Sequence, residues 1–306
     1  MKLRELFGSQ RQKKEIARLL RIKSIIAGLH YQQLALRETS AGIGNDVPHE
    51  LVISLTSFRK RIDDVHLTIE SLFQQSLRAD RIVLWLERTG FGPHDIPASL
   101  RRLEQRGLTI AFCDEDLGPY TKYFYALQQY PDSLIVTVDD DVLYPPDMLD
   151  MLYRAWLREP HYVHCHRAHK ISFDKRGELL PYEKWDKNTA DSRPSSLILP
   201  TGTGGVLYFP GSLHPDALNK ALFMQLAPRA DDIWLKAMTL KQGVLSKKVD
   251  DTRPWKQRFV TRENSQQIAL KHENMRGPSG NNIKLQQTFG HYALTDELRR
   301  AWRNEQ

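Results

Sequence analysis

The sequence is poor in cysteine, in long apolar runs and in the glycine patterns of the common phosphate loops. Cys113 and Cys165 are the only cysteines in 306 residues. That excludes a disulfide-stapled secreted scaffold and any four-cysteine zinc site, and it points to a reducing compartment. No stretch approaches the roughly 20 apolar residues of a membrane span, and no apolar segment with a small-residue cleavage site follows the N-terminus. The expectation is a cytoplasmic protein. Thr201 to Gly205, TGTGG, lacks the GK[ST] ending of a P-loop and has Leu207 where a dinucleotide fingerprint wants glycine. There is also no G-x-S-x-G elbow, which argues against a serine hydrolase of that type.

What is present is the composition of a globular chain, 41% hydrophobic and 26% charged, long enough for two domains or one elaborated α/β domain. Charge is unevenly placed. Of the formal +7, residues 1 to 23 carry eight basic side chains against Glu5 and Glu15, a net +6, which leaves +1 for the remainder. Because the excess belongs to one terminal segment, nucleic acid is not an expected partner. Within that segment and beyond it Ile16, Leu19, Leu20, Ile26 and Leu29 recur at helical spacing. This predicts a basic amphipathic helix that either packs on the main domain or docks peripherally on anionic lipid at the inner face of the membrane. The small, polar stretch TSAGIGNDVP, residues 39 to 48, reads as a linker.

From there strands and helices alternate. LVISL, RIVLWL, LTIAF and LIVTV are short apolar runs of strand length, separated by segments with helical periodicity such as PYTKYFYAL. Pro146 and Asp147 suit a helix start running to Leu157. Strands apolar throughout, with helices between them, predict an α/β fold built on a mainly parallel sheet covered on both faces.

Ligands in such folds bind beyond the carboxyl ends of the strands. There VTVDDDVLYPP places Asp139, Asp140 and Asp141 directly after a strand. Strand alternation would send Asp139 and Asp141 to one face and Asp140 to the other. Adjacent carboxylates repel unless they share a cation, and hard oxygen ligands select Mg2+ or Mn2+. A cation held by one or two carboxylates completes its shell with water and phosphates, so a nucleotide or diphosphate ligand is expected. A second acidic pair, Asp231 and Asp232, opens ADDIWLKAM. It reads equally as a helix cap or as a general base. HYVHCHRAH gathers His161, His164, His166 and His169 around Cys165, at spacings that fit no standard zinc pattern. A strand beside the site is the better reading, with His166 or Arg167 touching substrate. Glycines of TGTGG would let backbone approach a ligand, or simply make a turn.

In order and spacing these motifs resemble the family 2-like glycosyltransferases of the GT-A fold, over about residues 51 to 240, and most of all bacterial members from surface-polysaccharide loci. LVISLTSFRKR with ESLFQQS resembles that family's opening strand and helix, VDDDVLYPPDML its D-x-D segment, TGTGGVLYFPGSL its glycine-containing acceptor region and ADDIWLKAM its acidic pair. With the linker and the polar C-terminal stretch read from the residues themselves, the expected organisation is an N-terminal helical extension over 1–47, a GT-A catalytic domain over 48–250 and a C-terminal polar loop and helix over 251–306 closing over the site. The resemblance implies that Asp139 and Asp141 hold Mn2+ or Mg2+ at the diphosphate of a nucleotide-diphosphate sugar, and that Asp232 or Asp231 is the base of an inverting transfer to a saccharide or lipid-linked acceptor in envelope polysaccharide assembly; beyond its reach, His272 in the polar stretch HENMRGPSGNN is a candidate third ligand. Thr56, Ser57, Arg59, Lys122 and Asp140 would contact the donor, and Gly204, Gly205, His166 and Arg167 the acceptor. One departure stands out: the family's D-D-G-S-like turn after the second strand is replaced by ERTGFGP, so Asp114 or Asp116 is expected to substitute. Two rival readings remain, a sugar-phosphate nucleotidyltransferase, although TSFRKR lacks the glycines such an enzyme needs, and a non-catalytic saccharide- or nucleotide-binding module.

Overall fold

The computed structural model describes residues 2–262 and 280–306. His272 lies outside the described residues. A long helix, α1 (Lys2–Arg37), precedes the alternating core: β1 (Leu51–Thr56), α2 (Val65–Phe73), β2 (Arg81–Glu87), α3 (Ala98–Glu104), β3 (Leu108–Cys113), α4 (Thr121–Gln129), β4 (Leu134–Thr137), β5 (Val142–Leu143) and α5 (Met148–Arg158). The second half adds β6 (Val163–Cys165), β7 (Ala168–Lys170), β8 (Ile198–Pro200), β9 (Val206–Tyr208), α6 (Lys220–Leu226), α7 (Asp231–Lys241), β10 (Ser246–Lys248), α8 (Trp255–Arg258) and β11 (Val260–Thr261). Two helices, α9 (Asn281–His291) and α10 (Thr295–Asn304), end the chain.

The fold is mixed α/β with a mainly parallel central sheet flanked by helices, in the order β10-β6-β9-β4-β1-β2-β3. β1 pairs in parallel with both β2 and β4, while β9 alone runs antiparallel, between β4 and β6. From β1 the chain builds outward through β2 and β3, then returns to place β4 on the other side of β1. The cleft at the carboxyl ends of β1 and β4 is therefore the topological switch point, where open α/β sheets take their ligands.

Apolar side chains on both faces of the strands explain the layering. Ile53, Leu84 and Val136 pack with Ile69, Leu72 and Leu149 on one face, and Val206 and Tyr208 with Tyr123, Phe223 and Trp234 on the other. Each such side chain stabilises the fold by roughly 1.5–3 kcal/mol when fully buried. All nine residues of α2 are buried. A helix buried all round needs a cover on its outer side, and α1 supplies it, with Gln32 Oε1 2.8 Å from His66 Nε2.

The segment after α1 is tightly held. Gly42 donates its N–H to the Arg106 carbonyl at 2.8 Å, and a Cβ at this glycine would sit 2.1 Å from the Phe73 ring. Arg106 pairs with Glu70 at 2.5 Å, both nearly fully buried, and donates to the Ser40 carbonyl at 2.9 Å. At the other end of the chain, Leu285 and Phe289 of α9 join the core packed against α6 and α7.

Candidate functional site

β4 ends at Thr137, and Asp139, Asp140 and Asp141 occupy the turn that follows. Strand alternation therefore does not govern them, and the faces they take are set by their side-chain partners. Each carboxylate turns instead to a nearby cation. Asp139 accepts from Lys122 Nζ at 2.7 Å, whereas Asp140 and Asp141 share the Arg61 guanidinium at 2.5 and 3.3 Å. Ser57, just past β1, donates to Asp140 at 2.6 Å, and Thr68 of α2 donates to the Asp140 carbonyl at 3.0 Å. These bonds fix the acidic turn to the first strand and helix.

Lys122 joins this turn to the second acidic pair. It is on the first turn of α4, its side chain 5% exposed, and its ammonium is 3.1 Å from Asp231 as well as 2.7 Å from Asp139. Asp231 and Asp232 are the first two residues of α7, after Ala230 at the cap position. The helix dipole favours carboxylates there, but their contacts run across the cleft. Asp232 accepts the Gly202 N–H at 2.9 Å. A Cβ at Gly202 would be 2.8 Å from Lys122 Nζ and 3.2 Å from Asp139, so only glycine leaves this space open beside the acidic groups.

Five carboxyl groups thus face two cations at the switch point. Burial, with the charges of Asp139 and Asp140, pushes Asp141 up to about 7. Burial and the charge of Asp231 push Asp232 up to about 7 as well. Burial works against Asp139 too, yet the Lys122 ammonium holds it below the usual carboxylate range. Lys122 itself loses to burial and gains more from Asp139, Asp231 and Asp232, so it stays charged. Among the described residues no three His, Cys, Asp or Glu side chains are gathered around one metal-sized point. Carboxylate oxygens are the donor type that Mg2+ and Mn2+ prefer, but here Asp139 is paired with Lys122 and Asp141 with Arg61.

Beside the acidic turn a cleft of about 240 Å³ opens at the ends of β1, β2 and β3, lined by Thr56, Ser57, Arg59, Glu87, Phe91, Asp116 and Thr121 among others. Ser57 and Thr121 connect it to the acidic network, one bonded to Asp140 and the other next to Lys122. Of the two acidic residues expected after β3, Asp116 lines this cleft. Asp114 points away, its side chain 88% exposed and paired with Arg88 at 3.1 Å. Glu87 and Phe91 were not anticipated; the signal was available in RIVLWLE, whose final glutamate follows six strand residues as Asp139 follows β4.

The expected acceptor residues divide. Arg167 lies within electrostatic reach of Asp232 and Asp139, donating to Thr201 at 2.8 Å with its guanidinium 5.4 Å from the Trp255 ring. His166 is corrected to an interior role: it is 3% exposed, with Nε2 2.9 Å from the Met148 carbonyl and Nδ1 3.3 Å from Arg258. Burial pushes it down to about 4, so it is a neutral spacer between α5 and α8. His164 and His169 are likewise tied to backbone, at the Glu159 carbonyl and the Asn188 N–H. A Cβ at Gly204 would strike Arg167 and one at Gly205 would crowd Met148, so both glycines are needed for close packing. Arg262 donates its N–H to the Asp141 carbonyl at 3.0 Å, and β11 pairs antiparallel with β5, so the chain after α8 also holds the acidic turn.

No family model matches the chain, and no curated protein matches it. Solved structures with a similar chain path include the mannosyltransferase PcManGT from Pyrobaculum calidifontis in complex with GDP-Man and Mn2+. It is 14% identical, with 94% of this chain and 80% of that one covered and a TM-score of 0.46. CMP:2-keto-3-deoxy-manno-octonic acid synthetase complexed with CTP is 14% identical, with 74% and 100% covered and a TM-score of 0.39. Inositol-1-phosphate CTP transferase from T. maritima is 12% identical, with 67% and 87% covered and a TM-score of 0.41. With identities and TM-scores this low, none of the three bears on what this chain binds.

Proposed function

We propose that the chain is a metal-dependent, inverting glycosyltransferase that uses a nucleotide-diphosphate sugar. The observation that carries this reading is the meeting of two acidic clusters at one lysine: Lys122 bridges Asp139 and Asp231 at 2.7 and 3.1 Å, at the switch point of the sheet. A binding module has no need for a carboxyl group such as Asp232, raised to about 7 beside a glycine-lined space.

In this reading the nucleoside lies in the cleft of Thr56, Ser57, Glu87, Phe91 and Asp116, and the diphosphate extends toward Asp139 and Asp141. Those two carboxylates would hold Mn2+ or Mg2+, which supplies countercharge for the departing diphosphate. Lys122 keeps the two acidic clusters at fixed separation. Asp232 takes the proton of the acceptor hydroxyl as that oxygen bonds to the anomeric carbon. The bond from that carbon to the phosphate oxygen breaks, its electron pair leaves with the nucleoside diphosphate, and the anomeric centre inverts. Arg167, held by Thr201, orients the acceptor from the opposite side.

The test is a thermal-denaturation panel of UDP-, GDP-, CMP- and dTDP-sugars, each with and without Mn2+ or Mg2+. One donor is expected to raise the melting temperature by roughly 5 °C at about a hundredfold excess over its dissociation constant, only with metal. Asp139→Asn and Asp141→Asn should each lose that shift. Stabilisation by a nucleoside triphosphate, with pyrophosphate released from a sugar phosphate, would favour the nucleotidyltransferase instead; no shift with any nucleotide would leave neither enzyme standing.

The cleft makes a finer distinction. Glu87→Gln should weaken donor binding about tenfold, as expected for a lost charge-assisted contact to a ribose or base. Asp114→Asn, at a side chain turned to solvent, should leave it unchanged. Equal effects in titration calorimetry would remove the nucleoside from this cleft.

A further inference from the structure

Large apolar side chains left exposed are concentrated on one element. Of the eleven that are at least 36% exposed among the described residues, seven belong to α1: Ile16, Leu19, Ile22, Ile25, Ile26, Leu29 and Leu36. Their exposures run from 42% at Ile22 to 66% at Leu29. Spacings of three and four gather them on one face. The opposite face of α1 is already engaged, with Ala27 and Tyr31 packed on Leu67, Leu143 and Val260, and Ala35 buried. A solvated helix on a folded domain has no use for such an outer stripe.

We propose that this outer face docks on an anionic lipid bilayer. Charge selects this occupant. The first 23 residues carry a net +6, and Lys14 and Arg18 are exposed beside the apolar side chains. A second copy of α1 would bring like charge against like charge, whereas an anionic surface complements the basic residues as its acyl region takes up the isoleucines and leucines. No helix among the described residues is long and apolar enough to cross a membrane, so the contact is one of lying on the surface. Docking is independent of the transferase reading, although of the two acceptor classes it favours the lipid-linked one.

The full chain is sedimented with vesicles of phosphatidylcholine alone and with about 30% phosphatidylglycerol, at low and high salt. Binding to the anionic vesicles is expected to be at least about tenfold tighter and to weaken with salt. Ile22→Ser/Ile26→Ser/Leu29→Ser should lose at least about tenfold of it with an unchanged melting temperature. Should that variant unfold, Lys14→Glu/Arg18→Glu, at two exposed positions, must show the same loss. Equal binding to both vesicle types, no binding to either, or a wild-type dimer by light scattering that the triple variant dissolves would each overturn the proposal.

Discussion

Asp232→Asn is expected to lower turnover about a thousandfold, the scale of a lost general base, while raising the melting temperature at alkaline pH. Both effects come from one carboxyl group. Burial, then the charge of Asp231, pushes its pKa up to about 7 in the folded chain, against an ordinary value near 4 when unfolded. The folded state therefore binds this proton more tightly. Its contribution to stability is complete below about pH 4 and is lost as pH rises to about 7. Activity runs the other way, because a base must be ionised: turnover should climb through pH 7 and level off above it. Asparagine keeps an oxygen for the Gly202 N–H and carries no charge, so the variant should lose much of the wild-type decline in melting temperature between pH 5 and 8. Rates and thermal midpoints across that range decide the matter. A variant that retains its rate, or a wild-type rate that is flat through pH 7, would be fatal to the assignment of Asp232 as base.

Lys122→Met should cost about 3–5 kcal/mol, the penalty for stripping one partner from a buried ion pair. Here the methionine would leave Asp139 and Asp231 facing each other with no ammonium between them. For a chain of this length that is a fall of roughly 10 °C in melting temperature, together with loss of activity. The double variant Lys122→Met/Asp139→Asn should recover part of the stability and none of the activity. The coupling between the two sites, read from denaturant unfolding, is the quantity to measure. Additive losses would mean that the two residues are energetically independent and that Lys122 holds nothing together.

Much of the scaffold was legible in the sequence, because its strands are buried on both faces and so are written as uninterrupted apolar runs. LVISL and RIVLWL announce β1 and β2 within a residue or two. The acidic turn was equally visible, since three carboxylates after such a run have few innocent explanations. Its internal arrangement was not. Alternation presumes a strand, but β4 stops at Thr137, and the cations that sort the aspartates, Arg61 and Lys122, are 79 and 17 residues distant from their partners. Long-range pairing of this kind leaves no periodic trace. His166 shows the converse error: a histidine in a polar-looking cluster HYVHCHRAH proved to be core, because the Met148 carbonyl of α5 and the Arg258 guanidinium satisfy it where no sequence pattern reveals them. TGTGG stands out as a loop for close approach, but that Gly202 is the glycine beside the acidic groups was not legible, because it depends on what a side chain there would strike.

Arg106 and Gly42, remote from the cleft, bear on reach. Their bonds to Glu70, Ser40 and each other brace the stretch between α1 and β1, whose composition reads as a linker. The cleft beside the acidic turn consequently keeps a constant bearing relative to α1. On a surface gripped by that helix, the cleft would open at one height and one tilt, like a tool on a fixed mount. On the proposed reading, chain length between an anchor in the bilayer and the acceptor hydroxyl would then be a selection rule, set by the body of the protein.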